Sequence, residues 1–157
     1  MLVARTGFRV PVMSARRLTA TTHAIEVQRP RTFRFRPTQF TFLQLMTEAG
    51  LDTRPMSLAT SPTRQHLEYA VRLSDSPYKR AFAALAPGDE SAVFGPIGNF
   101  VLDETRPAIL IAGGIGITPF KGHGRIRGRP GAASPDPARL QQPEPRRDRL
   151  PRRAGGP

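Results

Sequence analysis

From Lys121 to Pro157 the chain contains no Phe, Tyr, Val or Met, and only Ile126, Leu140 and Leu150 stand as core candidates among many Arg, Pro and Gly. A segment of that composition buries too little apolar surface to offset the entropy of ordering it. Any core must therefore be built from residues 1–120. The same boundary divides the charge. Beyond residue 120 there are 10 Lys and Arg against 3 Asp and Glu, a net +7, whereas residues 1–120 hold 14 basic and 9 acidic residues, a net +5. The formal +12 is mostly a property of the tail, and nucleic acid is not the expected partner of the fold.

Several chemistries drop out early. With no cysteine, disulfides, thiolate metal sites and Cys nucleophiles are excluded. His23, His66 and His123 have neither the spacing nor the carboxylate neighbours expected of a metal site, so no metal is expected. No segment approaches the ~20 apolar residues of a membrane span, and no apolar run follows the first basic residues. The expectation is a cytoplasmic protein that does not engage a membrane.

Residues 7–103 read as short strands separated by turn chemistry, which predicts a small antiparallel barrel or sandwich. Strands are expected at Gly7 to Arg16, Thr21 to Val27, Gln39 to Met46, Met56 to Thr60, Leu67 to Leu73, Ser91 to Phe94 and Asn99 to Leu102. A turn is expected over Glu48 to Thr53 and another at the GPIG of residues 95–98. Phe33, Phe35, Phe40 and Phe42 alternate around Pro37, as a sheet with one buried face requires. Ser76 and Pro77 form a helix start, because Ser can cap free amides and Pro loses no hydrogen bond at the first helical position. With Phe82 and Leu85 as its apolar stripe, one short helix is expected from Pro77 to Leu85.

At Pro107 the texture changes to AILIAGGIGITPF. A continuous apolar run predicts a strand buried on both faces, here Ala108 to Ala112, as in a parallel sheet with crossover helices. Gly113, Gly114 and Gly116 follow it, with Thr118 and Pro119 where a helix should start. Glycines there let a backbone approach a pyrophosphate facing helix amides, although such a turn is more often a structural connection. Upstream, Arg54 and Ser57 in RPMSLATSP set a fork-shaped cation and a hydroxyl on one strand, which suits a diphosphate and a ring edge, although taken alone a surface Arg beside a turn is the better reading. Lys79 and Arg80 in the first helical turn oppose the helix dipole, which points to an anion there or to solvated charge.

In order, an Arg/Ser strand, a capped helix, GPIGNF and AGGIGITP resemble the ferredoxin reductase-like superfamily along almost all of residues 7–120. The resemblance implies a mainly β fold: a six-stranded antiparallel Greek-key FAD-binding barrel with one short helix over residues 1–103. Residues 104–120 would then be the first strand and loop of a truncated Rossmann-like α/β NAD(P) domain. It further implies that Arg54 holds the flavin diphosphate, that Pro55 and Met56 lie along the isoalloxazine and that Ser57 contacts its reactive edge. Val71 to Leu73 would touch the cofactor through their backbone, and the helix start at Ser76 and Lys79 would face the diphosphate. Gly113, Gly114, Gly116, Thr118 and Pro119 would receive the pyridine nucleotide.

The activity implied is hydride transfer from NAD(P)H to FAD and onward electron transfer to a small acceptor or a protein such as a ferredoxin. No catalytic acid or base is needed. The family usually has an aromatic where Met56 stands and Gly where Thr38 stands. At Lys121 the resemblance stops, so this chain is expected to be an inactive, truncated member whose residues 121–157 are a disordered basic tail. The Arg, Pro, Gly and Ala bias there reads as translation out of frame: synonymous codons read one base later encode an amphipathic helix and a buried strand. The alternative class is a flavin-free barrel whose basic tail binds nucleic acid or another anion.

Overall fold

The structure, a computed structural model, describes residues 7–100, 105 and 110–122. The tail, the end of the expected strand Asn99 to Leu102 and the start of Ala108 to Ala112 lie outside the described residues. Six strands form one antiparallel sheet in the order β4-β3-β6-β1-β2-β5. They are β1 (Phe8–Thr19), β2 (Thr22–Gln28), β3 (Phe40–Thr47), β4 (Gly50–Ser57), β5 (His66–Arg72) and β6 (Glu90–Ile97), with one helix, α1 (Pro77–Ala84), between β5 and β6.

Alternation builds the core. Val10 and Val12 of β1, Ile25 and Val27 of β2, Leu43 and Leu45 of β3, and Leu67, Tyr69 and Val71 of β5 all point inward. β1 pairs with β6 through its first residues and with β2 through the rest, with a register irregularity between Val12 and Ser14. An irregularity of that kind bends a strand and lets a sheet curl. The curl brings the sheet's two edges together just past the end of β4, where the Ala59 N–H donates to the Glu68 carbonyl at 2.8 Å. This is the expected six-stranded barrel.

Several local expectations are corrected. The turn read over Glu48 to Thr53 is a two-residue hairpin, Thr47 pairing with Gly50, and Asp52 and Thr53 belong to β4. Gly50 makes it possible, since its φ of +103° is open to glycine at little cost. β4 ends at Ser57 rather than Thr60, because the chain there leaves β3 and crosses to β5. Gly95 to Ile97 continue β6, and Asn99 and Phe100 lie in no strand. The four phenylalanines do not share a face. Phe33 and Phe35 are buried outside any strand, whereas Phe40 and Phe42 sit half-buried on the opposite face of β3 from Leu43, in edge-on contact at 5.9 Å.

Further along, Leu110 to Ala112 lie in no strand, and Ile111 is 88% exposed. A parallel strand needs neighbours to bond with, and the described residues supply none. Residues Gly114–Phe120 form a 3₁₀ helix that runs through Thr118 and Pro119 instead of starting there. Among the described residues no helix is long and apolar enough to cross a membrane.

Helix α1 forms as its sequence directs. Ser76 caps it in an extended conformation, with its Oγ accepting from the Lys79 N–H, and Pro77 opens the first turn. Tyr78 and Phe82, one turn apart, are its buried residues.

Thr38 holds φ at +70° in the Pro37–Thr38 turn before β3. A β-branched residue in the left-handed region is strained by roughly 1–2 kcal/mol, and glycine removes that strain at some cost in unfolded-state entropy. Thr38→Gly is therefore expected to raise stability by about 0.5–1 kcal/mol. Thermal unfolding should show a Tm higher by about 1–4 °C, and an unchanged or lower Tm would contradict the strain.

Candidate functional site

β4 and β5 are the two edges of the sheet, and past their junction at Ala59 and Glu68 they diverge. A residue on the core face of an edge strand can still lie beyond the core, in solvent. Arg54 does so. It stands opposite Leu43 of β3 in register, and its guanidinium is open to solvent with Asp52 as its carboxylate partner, 2.9 Å away. Helix α1 lies over the same place. The Tyr78 hydroxyl donates to the Leu43 carbonyl at 2.9 Å, and burial together with the nearby Asp52 raises its pKa, against a smaller opposing effect of Arg54. Arg80 ties the helix to the β3–β4 hairpin through Glu48 and also pairs with Asp75.

The fold therefore ties α1, through the Tyr78 hydroxyl, to Leu43, the residue paired with Arg54, across more than twenty residues of chain. The helix start can be accounted for amide by amide. Pro77 has none, Lys79 donates to Ser76 Oγ, Arg80 donates to the Ser76 carbonyl, and Ser76 donates to the Ser74 carbonyl. The Tyr78 N–H has no acceptor among the described residues and faces out of the helix end with the positive pole of its dipole. Of the two expected cations, Arg80 is already matched by Glu48 and Asp75, so it does not signal a missing anion. Lys79 has no ion pair among the described residues.

The other expected residues are distributed along the two edges. Pro55 is exposed opposite Phe42, and Ser57 is half-buried opposite Phe40, about 10 Å along the strand from Arg54. Met56 does not form a surface platform. Strand alternation sets it opposite Thr41, and at 9% exposure it packs with the core. Val71 is buried in β5, and the Leu73 N–H is committed to the Thr21 carbonyl at 2.7 Å.

Gly113, Gly114 and Gly116 are exposed, with open space where a Cβ would stand, although Gly114 uses a positive φ of +54°. Thr118 is buried, and its hydroxyl donates to the Ile115 carbonyl. The 3₁₀ segment docks on β5, where the Lys121 Nζ reaches Glu68 at 2.7 Å and Gly122 sits against the Thr60 carbonyl. It thus approaches the site from the Ser57 end and not from the Arg54 end.

One cluster was invisible in the sequence. His66 does have carboxylate neighbours: the β2–β5 register sets Glu26 opposite Glu68 and brings His66 Nε2 within 3.9 Å of Glu26. Arg16 spans the two carboxylates at 2.7 and 2.8 Å, and Lys121 completes the shell of the buried Glu68. Burial alone would raise the Glu26 pKa, but the Arg16 hydrogen bond and the charges of His66 and Arg16 outweigh it and hold the carboxyl below its ordinary value. With two cations already on the two carboxylates, the cluster is a charge-balanced lock between strands and not an open ligand set for a metal.

An antiparallel six-stranded barrel, with an arginine on an edge strand and a capped helix packed on the strand beside it, is an architecture found among flavoprotein reductases. No family model matches the chain. It is 30% identical over 115 residues to the flavodoxin/ferredoxin–NADP reductase of Rhodobacter capsulatus, a match covering 69% of this chain and 43% of that protein. Its fold superposes on a ferredoxin–NADP+ reductase of Neisseria gonorrhoeae with bound FAD and NADP, with TM-score 0.64 and 24% identity over 79% of this chain and 51% of that one. A cytochrome P450 reductase of Amycolatopsis aligns with TM-score 0.66 and 25% identity, over 77% of this chain and 38% of that one. Along the residues that build its barrel the chain is similar to these ferredoxin reductase-like proteins. It spans about half or less of the length of these proteins.

Proposed function

We propose that this chain is the flavin-binding part of an NAD(P)H-dependent oxidoreductase, with its barrel (1–103) holding FAD and residues 104–120 opening the pyridine-nucleotide domain. The observation that carries the reading is that Arg54 lies on the open edge strand β4 while α1, whose Tyr78 amide has no acceptor among the described residues, is tied by the Tyr78 hydroxyl to Leu43, the residue paired with Arg54. A fork-shaped cation and outward helix amides are the two groups that suit a diphosphate. Ser57, about three residues further along the same edge and on the other face of β4, would donate a hydrogen bond to the rim of a planar ring lying along that edge. Lys79 adds an unmatched positive charge beside the same phosphates.

FAD held by Arg54, Lys79, Ser57 and the α1 terminus would supply the hydride-accepting and electron-donating chemistry between a reduced pyridine nucleotide and a small or protein acceptor. The chain's own contribution is binding and orientation. Arg54, Lys79 and the α1 terminus fix the charged end, Ser57 fixes the ring, and the buried Tyr69–Thr41 pair at 2.9 Å and the Tyr78–Leu43 bond hold the strands and helix that carry them. Gly113, Gly114 and Gly116 are then the approach for the nucleotide phosphates, at the Ser57 end where the 3₁₀ segment docks. Titration of the flavin-free protein with FAD should give stoichiometric binding with quenched flavin fluorescence and shifted visible absorbance. Absence of saturable binding would overturn the proposal.

A further inference from the structure

The two halves of the sheet treat their outer side differently. On β2 and β5 it carries Glu26, His66 and Glu68, bound to Arg16 of β1, which is the charged surface that an antiparallel sheet ordinarily shows to water. On β4, β3 and β6 it is almost uncharged. Phe42 stands in register between Pro55 and Phe94, and Gln44 between Thr53 and Ala92. Met46 stands opposite Leu51, and the two are 68% and 65% exposed. β3 contains no charged residue, and the two of β4, Asp52 and Arg54, lie on the core side opposite Leu45 and Leu43. Gln44 Nε2 donates to Thr53 Oγ1 at 2.9 Å, so the polar pair of the middle row satisfies itself and costs little to take out of water. A Cβ on Gly7 would stand 2.4 Å from the Phe94 ring, so that ring reaches across to the start of β1 and carries the apolar surface on to a fourth strand.

Contiguous exposed apolar surface of this kind marks an interaction site, and its charge decides which partner fits. The chain carries a formal +12, so two copies repel wherever their basic surfaces meet. The outer side of β4, β3 and β6 is where a second copy meets the least repulsion, whereas a strongly acidic partner gains little from it. The two charges at its border are of opposite sign: Arg9 of β1 and Glu90 of β6, both exposed and 3.7 Å apart. A two-fold axis lying in the face and passing between them exchanges the pair. Arg9 of each copy then meets Glu90 of the other while the apolar rows meet one another, which is the self-complementarity that an isologous contact requires.

We propose that the outer side of β4, β3 and β6 is a self-association surface, at which two copies of this chain pair about a two-fold axis through the Arg9–Glu90 border. The pairing goes beyond the flavin reading and does not depend on it, since Arg54 lies on the other side of β4.

The test is sedimentation velocity of the full chain over a wide concentration range, in which the parent should pass from monomer to dimer and no further. Met46→Glu/Leu51→Glu lowers the chain's net positive charge yet should weaken dimerisation more than about tenfold, because it sets like charges within the contact. Its Tm should match the parent's, since both side chains are largely in water. Ile111→Glu, which changes an exposed apolar residue outside this face, should alter dimerisation by less than about threefold. Arg9→Glu and Glu90→Arg should each weaken the homodimer by roughly three- to tenfold. Mixed in equal amounts, these two variants should form a heterodimer at least as tight as the parent's dimer, because each supplies the charge the other lacks. A monomer at every concentration, open-ended assembly, equal losses from Ile111→Glu and the Met46/Leu51 variant, or single variants that gain nothing on mixing would each overturn the proposal. FAD titration of Met46→Glu/Leu51→Glu reads out the flavin proposal separately.

Discussion

Phe82→Ala is expected to lower the unfolding free energy by about 3–5 kcal/mol, the range for deleting a buried aromatic side chain. The ring is 0% exposed, and it is packed into the barrel core together with Tyr78. Nothing nearby can collapse into the space easily, since the neighbouring strands are held by their own ladders on both sides. A loss of that size is a large part of the 5–15 kcal/mol typical of a domain, so a sizeable unfolded population should appear at moderate temperature. The effect should reach the site as well, because Phe82 and Tyr78 seat the helix whose start lies beside Arg54. Urea unfolding of the variant should show a midpoint well below the parent's at an unchanged m-value. A loss under about 1 kcal/mol would mean that α1 is not anchored through this ring.

Arg54, Ser57, Ser76 and the glycine run stand out as candidates in the sequence because each rests on local chemistry, and the structure forms the Ser76 cap. A strand carrying a fork-shaped cation, a Ser-Pro helix start and a glycine turn all declare themselves within a few residues. What the sequence hid lies across the chain. That Arg80 is matched by Glu48, that Tyr78 bonds the backbone beside Arg54, and that Glu26, His66 and Glu68 converge around Arg16 all depend on strand register, which no local pattern states. The hairpin at Glu48 was misread for a related reason. One glycine with positive φ closes a two-residue turn and releases Asp52 and Thr53 into the strand, whereas composition alone favoured a longer loop.

The Met56 position shows both sides of this limit. Its place between Arg54 and Ser57 is a sequence fact, but alternation decides that it turns inward opposite Thr41. The stretch Ala108 to Ala112 looked like a buried strand because its residues are apolar. Apolar residues become a buried strand only when partner strands lie on both sides, and Ile111 stands 88% exposed among the described residues.

Arg54→Ala is expected to weaken FAD binding by about 1.5–3 kcal/mol, roughly ten- to a hundred-and-fifty-fold in Kd, the range for losing a charge-assisted contact to a diphosphate. Without ligand the guanidinium is held by Asp52 alone among the described residues, and its side chain is 59% exposed. An exposed pair of that kind contributes about 1 kcal/mol at most, so Arg54 can turn from Asp52 to a phosphate at small cost, and its removal should scarcely change the stability of the flavin-free fold. Asp52→Asn supplies the opposite sign: it releases the guanidinium and removes a negative charge from beside the phosphates, so FAD should bind as tightly as to the parent or more so. Lys79→Ala should cost less than Arg54→Ala, because an ammonium acts there as a point charge and not as a two-bond fork. Fluorescence titration of the three variants gives the ordering directly. If Arg54→Ala retains the parent's affinity while melting normally, the diphosphate does not lie at the start of α1 and the placement of the cofactor along the β4 edge fails with it.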